Sequence, residues 1–207
     1  MSSRWALLAS GRGSNVKAVL EAWRAGALGP AEPVVVIANV AGAAVLDRAR
    51  AEGVPCEILP HAEHASRGQF EAALVERLRA HAVDWIALAG FMRLLGAHFL
   101  DAFGGRVINI HPSLLPSFPG VHAQQQALDY GVKWTGCTVH FVDAGLDAGP
   151  IIAQAAVPVR DGDDVEDLCA RILIEEHRLL PAVIRAIAED RVTREGRHVT
   201  IRDPRAL

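Results

Sequence analysis

With 207 residues the chain is long enough for one sizeable core, and 51% hydrophobic against 22% charged residues excludes a disordered polymer. A formal net charge of −3, with no basic stripe, gives no reason to expect a nucleic-acid partner. The three cysteines, Cys56, Cys137 and Cys169, are odd in number and widely spaced, so neither a disulfide framework nor a zinc cluster is expected.

Apolar runs alternate with amphipathic segments along the chain. Residues 5–9 read as a buried strand, followed by a glycine-rich turn and a helix over about 15–25. Residues 33–38 form a second buried run, then a helix through Val45, Ala49 and Ala51 ends at Gly53. Residues 56–59 read as a short strand closed by Pro60. The spacing over 69–81 predicts a helix with Phe70, Leu74 and Leu78 on one side and Glu71, Arg77 and Arg79 elsewhere. Residues 84–89 are a fourth strand ending at Gly90, and a helical turn over 95–103 leads to a fifth at 106–110. Beyond His122 the character changes. Residues 136–143 and 150–159 alternate in polarity and suggest an antiparallel pair. A last helix is expected over about 164–189, bent at Pro181, before a polar tail with a short strand at 198–201.

Strands apolar on both faces and joined by helices indicate a parallel sheet covered on both sides. The fold class expected is α/β: one Rossmann-like domain, a mostly parallel twisted sheet with helices on both faces and an antiparallel C-terminal strand pair. No repeat, linker, signal-peptide pattern or membrane-length apolar run is seen, so a cytoplasmic setting is expected.

Four segments carry chemistry. In the run Asn109-Ile110-His111-Pro112-Ser113-Leu114-Leu115-Pro116, Asn109 and His111 are two apart and so share a face of an extended strand. A hydrogen-bond donor and a proton-transfer group aimed at one centre suit a reaction through an oxyanion. The plain alternative is a strand end whose Asn caps a turn and whose His satisfies carbonyls. The second segment, Ser10-Gly11-Arg12-Gly13-Ser14-Asn15, lies between the first strand and its helix. Glycines admit close approach, and a helix N-terminus offers unpaired amides, which suits a phosphate. A dinucleotide fingerprint is disfavoured by Val16 and by Asn39 after the second strand.

The third segment is Leu146-Asp147-Ala148-Gly149-Pro150, where Asp147 alone is a turn-former but beside His111 becomes a candidate partner. His140 reads as packed in structure near the same site, and His122 as either pocket or surface. His61, His64, His81 and His98 read as solvent or helix-face residues, and no metal triad is spaced among the histidines. The fourth segment runs through Gly90 and Phe91 to Leu95 at the end of a strand, where open sheets bind ligands. Phe91 reads as ordinary packing, and Glu175-Glu176-His177 as a solvated helix face.

Together these segments resemble the folate-dependent formyltransferase family, from Ser10 through His177. The asparagine-to-proline run and the Asp of the 146–150 segment are shared across that family, whereas Gly-x-Gly-Ser-Asn is more discriminating. Methionyl-tRNA formyltransferases lack this loop and add a C-terminal domain, and formyltetrahydrofolate hydrolases carry an N-terminal regulatory domain. The resemblance implies transfer of the formyl group of the co-substrate 10-formyltetrahydrofolate to the primary amine of 5-phosphoribosylglycinamide, in de novo purine biosynthesis. It implies a catalytic set of Asn109, His111 and Asp147, with Gly13, Ser14 and Asn15 on the acceptor phosphate and Glu176 on the ribose hydroxyls. It places Arg67 near the folate-side opening, and Met92, Arg93, Leu94, Leu95, Val142 and Ala144 around the pterin. No metal is implied.

Two departures from the family pattern stand out. A lysine present in some relatives three positions before the glutamate is Leu173 here, so the phosphate would depend on the loop, aided by Arg12 or Arg178. Ala144 stands where some relatives have an acid, leaving pterin contacts there to backbone. Residues 1–105 would bind phosphate and 106–207 would carry catalysis and folate binding, in a monomer or homodimer with small-molecule substrates only. Two other readings remain open: a formyltetrahydrofolate hydrolase of the same fold, and a non-catalytic phosphate-binding module.

Overall fold

The computed structural model describes residues 2–203. Its element order is β1 (Ser3–Ala9), α1 (Ser14–Arg24), β2 (Ala31–Ala38), α2 (Val45–Ala51), β3 (Cys56–Ile58), α3 (Arg67–Ala80), β4 (Trp85–Leu88), α4 (Ala97–Phe103), β5 (Val107–His111), α5 (Ala123–Tyr130), β6 (Trp134–Phe141), β7 (Ile151–Pro158), α6 (Val165–Ala188), β8 (Val192–Glu195) and β9 (His198–Ile201). The first seven strands form one sheet in the order β3-β2-β1-β4-β5-β6-β7. Strands β1 to β5 pair in parallel, β6 and β7 antiparallel.

The alternation along β1 shows why both faces are covered. Trp5, Leu7 and Ala9 enter one apolar cluster with Val16, Val19 and Leu20 of α1 and Leu168, Ile172 and Leu180 of α6. Ala6 and Leu8 enter the other, with Phe70, Leu74 and Leu78 of α3 and Phe99 and Phe103 of α4. A period of two on a strand buried from both sides leaves no polar position, which is the pattern in residues 5–9. Trp5 stacks on Trp85 with centroids 5.4 Å apart, joining β1 to β4.

The strand order reverses beside β1, whose neighbours are β2 on one side and β4 on the other. Chains leaving the C-terminal ends of β1 and β4 diverge there, and that crevice is where open α/β sheets accept ligands. Ser10, just after β1, donates its backbone N–H to the Gly90 carbonyl after β4 at 3.0 Å, so the two loops start side by side.

Two local expectations change. Residues 123–130 form a helix, though Ala-Gln-Gln-Gln has little apolar periodicity and His122 enters it at φ 58 rather than as a side-chain cap. The polar tail is a full hairpin, with β8 pairing β9 from Val192–Ile201 to Glu195–His198. As expected, helix α6 is continuous through Pro181, which is buried and costs one backbone bond without ending the helix.

Candidate active site

Strand β5 presents Asn109 and His111 on one face, because Ile108 and Ile110 turn into the cluster beneath α6. Asn109 lies opposite His140 of β6, and His111 opposite Thr138. The β6–β7 register slips between Val139 and His140, a bulge that re-aims the strand beside the site. Residues 112–122 then fold back. Thr138 Oγ1 donates to the Ser113 carbonyl at 2.7 Å and accepts from Leu115 N at 3.1 Å, fixing that return.

The polar groups converge on Asp147. Its Oδ2 accepts from Gly120 N at 2.8 Å and lies 3.4 Å from His111 Nδ1, while its Oδ1 lies 3.5 Å from Asn109 Nδ2 and 3.7 Å from His140 Nε2. Asp147 has φ 47 and Phe118 φ 55, sparsely populated conformations held by the surrounding bonds. His111 Nε2 faces the Phe118 carbonyl at 2.9 Å, so Nδ1 is the nitrogen left for chemistry, and the ring is 4% exposed.

His140 sets the direction of the Asn109 amide. Its Nδ1 faces the Phe141 carbonyl at 2.8 Å and must donate, which leaves Nε2 to accept from Asn109 Nδ2 at 3.2 Å. Burial pushes the His140 pKa below the usual histidine range, outweighing the Phe141 carbonyl and Asp147, so the neutral tautomer that this pairing needs is favoured. One Asn109 N–H is therefore committed to His140, and the other is directed at Asp147 Oδ1 over a long 3.5 Å.

The second group of residues lies at the start of α1. Gly13 is the N-cap at φ 68, and no side chain caps the helix, so its first amides are open. An added Cβ at Gly13 would strike Val45 Cγ2 and lie 2.5 Å from Val45 Cβ, whereas one at Gly11 would meet nothing within 4 Å. The two glycines thus have different reasons: Gly13 admits α2, and Gly11 leaves the loop's outer side open. Asn15 is buried and donates from Nδ2 to Glu176 Oε2 at 2.8 Å. Glu176 is 5% exposed, so the expectation of a solvated face over 175–177 fails at this position; α6 packing on α1 encloses it. That burial raises the Glu176 carboxyl pKa, with the Asn15 bond opposing. Leu173 is half-buried, Arg178 pairs with Glu175 at 2.9 Å, and Arg48 of α2 donates from Nε to the Arg12 carbonyl at 2.9 Å.

On the third side, Met92, Arg93 and Leu94 are exposed while Phe91 and Leu95 are buried. Arg67 opens α3 and pairs with Glu71 at 3.0 Å. Val142 and Ala144 line a cavity of about 390 Å³ together with Ala97, Leu100 and Asp101. The residues at 92–95 do not line that cavity, although Leu95 and Val142 meet in the same apolar cluster. His122 is exposed, whereas His61 and His81 are engaged, with Asn39 and Glu57 respectively. Ser10 lies within the glycine-rich segment, but no local signal in the sequence marks Asn39, Glu71 or Arg48 as site residues beyond the Arg67–Glu71 spacing of four.

A family model described as formyl transferase matches residues 3–184. The chain belongs to the formyl transferase family. It is 46% identical over 200 residues to the phosphoribosylglycinamide formyltransferase of Mycobacterium tuberculosis, covering 96% of this chain and 91% of that one. It is 49% identical over 182 residues to the trifunctional purine biosynthetic protein adenosine-3 of Drosophila melanogaster, covering 87% of this chain but only 14% of that longer protein. Among solved structures, glycinamide ribonucleotide transformylase 1 of Symbiobacterium toebii superposes with a TM-score of 0.95 at 54% identity, over 98% of this chain and 95% of that one. Formyl transferases act by acyl transfer, and the Asn109–His111–Asp147 cluster has the donors and proton carrier that acyl transfer needs. Among the described residues no group of three or more His, Cys, Asp or Glu is placed to hold a metal ion, and no helix is long and apolar enough to cross a membrane.

Proposed function

We propose that this formyl transferase moves the formyl group of 10-formyltetrahydrofolate to the amine of 5-phosphoribosylglycinamide, releasing N-formylglycinamide ribonucleotide and tetrahydrofolate in the cytoplasm, as a step of de novo purine biosynthesis. The observation that carries the reading is the convergence of Asn109, His111 and His140 on Asp147, on the same sheet edge as an uncapped helix N-terminus. The acceptor amine attacks the formyl carbon, and its oxygen becomes an oxyanion. Asn109, oriented by His140, turns the N–H that it directs at Asp147 Oδ1 over 3.5 Å toward that oxygen, and His111 assists through Nδ1. Asp147 accepts the amine proton by way of a water and returns it to the departing folate nitrogen. The balance is one C–N bond made, one broken and one proton moved, with no covalent enzyme intermediate.

The acceptor phosphate rests on the amides of Gly13, Ser14 and Asn15. The Asn15 side chain serves Glu176, which takes the ribose hydroxyls. Arg12, with Arg48 bonded to its carbonyl, supplies positive charge where Leu173 cannot. Folate enters past Arg67 and seats its ring among residues 92–95 and 142–144. Residues 1–105 therefore supply the phosphate loop and one wall of the folate pocket, and residues 106–207 the catalytic set and the other wall. A hydrolase would leave the glycine loop without a task, and a binding module would leave Asn109, His111 and Asp147 without one. Steady-state assays of tetrahydrofolate release test the choice: the rate should depend on the glycinamide ribonucleotide, and equal release with water alone would return the site to hydrolysis.

A further inference from the structure

The segment joining β4 to α4 exposes Met92, Arg93 and Leu94 between the buried Phe91 and Leu95, yet is fastened at both ends. Met92 is 69% and Leu94 59% exposed, a large apolar display for a loop of a folded protein. At its start, Met92 N donates to Ser10 Oγ at 2.8 Å, and that hydroxyl donates to Oδ1 of the buried Asn39 at 2.6 Å. Asn39 is held in turn, with Nδ2 3.1 Å from His61 Nδ1. At its end, Gly96 N donates to Glu71 Oε1 at 2.7 Å, and Arg67 Nε approaches the same oxygen at 3.0 Å. A Cβ at Gly96 would overlap Arg67 Nη2 and lie 3.0 Å from Glu71 Oε2, so the backbone sits directly on this pair. Glu71 is only 3% exposed. A buried carboxylate costs several kcal/mol unless well partnered, and neither α3 nor its apolar stripe requires one there.

We infer that Ser10 and Glu71 are positioning residues for the folate co-substrate: side-chain clasps that hold residues 92–95 in binding geometry before the ligand arrives. This rests on the reading that residues 92–95 wall the pterin pocket. Backbone groups that read a ring edge must be fixed in space, and ordering them beforehand lowers the entropy lost on binding. Neither residue touches the reacting atoms; each acts through a backbone N–H of the segment.

The test compares Ser10→Ala, Glu71→Ala and Glu71→Gln with the parent by calorimetric titration of tetrahydrofolate and by KM for each substrate. Ser10→Ala and Glu71→Ala should each raise the tetrahydrofolate Kd and the formyl-donor KM about tenfold, the scale of one net hydrogen bond. The acceptor KM should stay put, which a general loss of structure would not allow. Glu71→Gln keeps an amide oxygen for Gly96 N and should fall much closer to the parent than Glu71→Ala. Folded Ser10→Ala and Glu71→Ala proteins that bind tetrahydrofolate like the parent would overturn the inference, as would parallel weakening of both substrates. If Glu71→Gln is as impaired as Glu71→Ala, the charge on Arg67 matters and the Gly96 clasp does not. A parent protein that fails to bind tetrahydrofolate would overturn the functional reading itself, and this inference with it.

Discussion

Gly11 and Gly13 stand two residues apart in one loop, and substitution by alanine should separate packing from ligand approach. At Gly13, φ 68 costs an L-residue about 1–2 kcal/mol. The new Cβ would also strike Val45 Cγ2 and lie 2.5 Å from Val45 Cβ and 3.0 Å from its Cα, so α2 must move. Overpacking of that kind costs a further ~1–3 kcal/mol. Gly13→Ala should therefore lose about 2–5 kcal/mol of stability, or roughly 5–15 °C in Tm for a chain of this size. Val45→Ala should not restore it, since the Val45 Cβ remains in the way. At Gly11 the Cβ meets nothing within 4 Å, so stability should stay within about 0.5 kcal/mol of the parent. Its methyl would stand where the phosphate approaches, and acceptor affinity should fall about tenfold, the worth of a charge-assisted hydrogen bond. Thermal melts and calorimetric titration with glycinamide ribonucleotide decide the matter. A Gly13→Ala protein that melts with the parent would refute the packing argument, and a Gly11→Ala protein with parental affinity would refute the assignment of the open side to the ligand.

Asn109→Ala, His111→Ala and Asp147→Ala should each lower kcat by about a hundredfold or more while leaving both substrates bound. Double variants should lose much less than the product of the single losses, because the groups serve one proton-transfer step; multiplicative losses in kcat would deny that. Glu176→Gln should stabilise the protein at neutral pH. Burial raises the carboxyl pKa in the fold, so its stability contribution is complete below the ordinary glutamate value of about 4.3 and is lost as pH rises through the raised value. Glutamine mimics the protonated form and still accepts from Asn15, so the Tm gain should shrink as melts are taken toward pH 4. A variant less stable than the parent at pH 7 would mean that the carboxylate is better compensated than its surroundings suggest. The same variant should bind the acceptor more weakly.

The residues that could be read from sequence were those whose neighbours in the chain define their surroundings. Two-residue spacing on an apolar strand was enough to set Asn109 and His111 on one face, and unbroken apolar runs were enough for β1, β2, β4 and β5. Asp147 needed the β6–β7 return, whose path is fixed by pairing across the sheet, though its loop was visible between two alternating runs. His140 was legible as packed, but its orienting of Asn109 depends on the β5–β6 register that sets the two residues opposite each other, which no local pattern encodes. Glu71 and Glu176 look like solvent-facing charges in their helices, and only the packing of α3 on the 92–96 segment and of α6 on α1 buries them. Helix α5 escaped because residues 123–130 carry little periodicity and no side-chain cap.

The central claim concerns where the formyl carbon goes. With 10-formyltetrahydrofolate labelled at that carbon and with phosphoribosylglycinamide present, product analysis should find the label in N-formylglycinamide ribonucleotide in proportion to the tetrahydrofolate formed. Label recovered as formate at the same rate, with or without the acceptor, would contradict it.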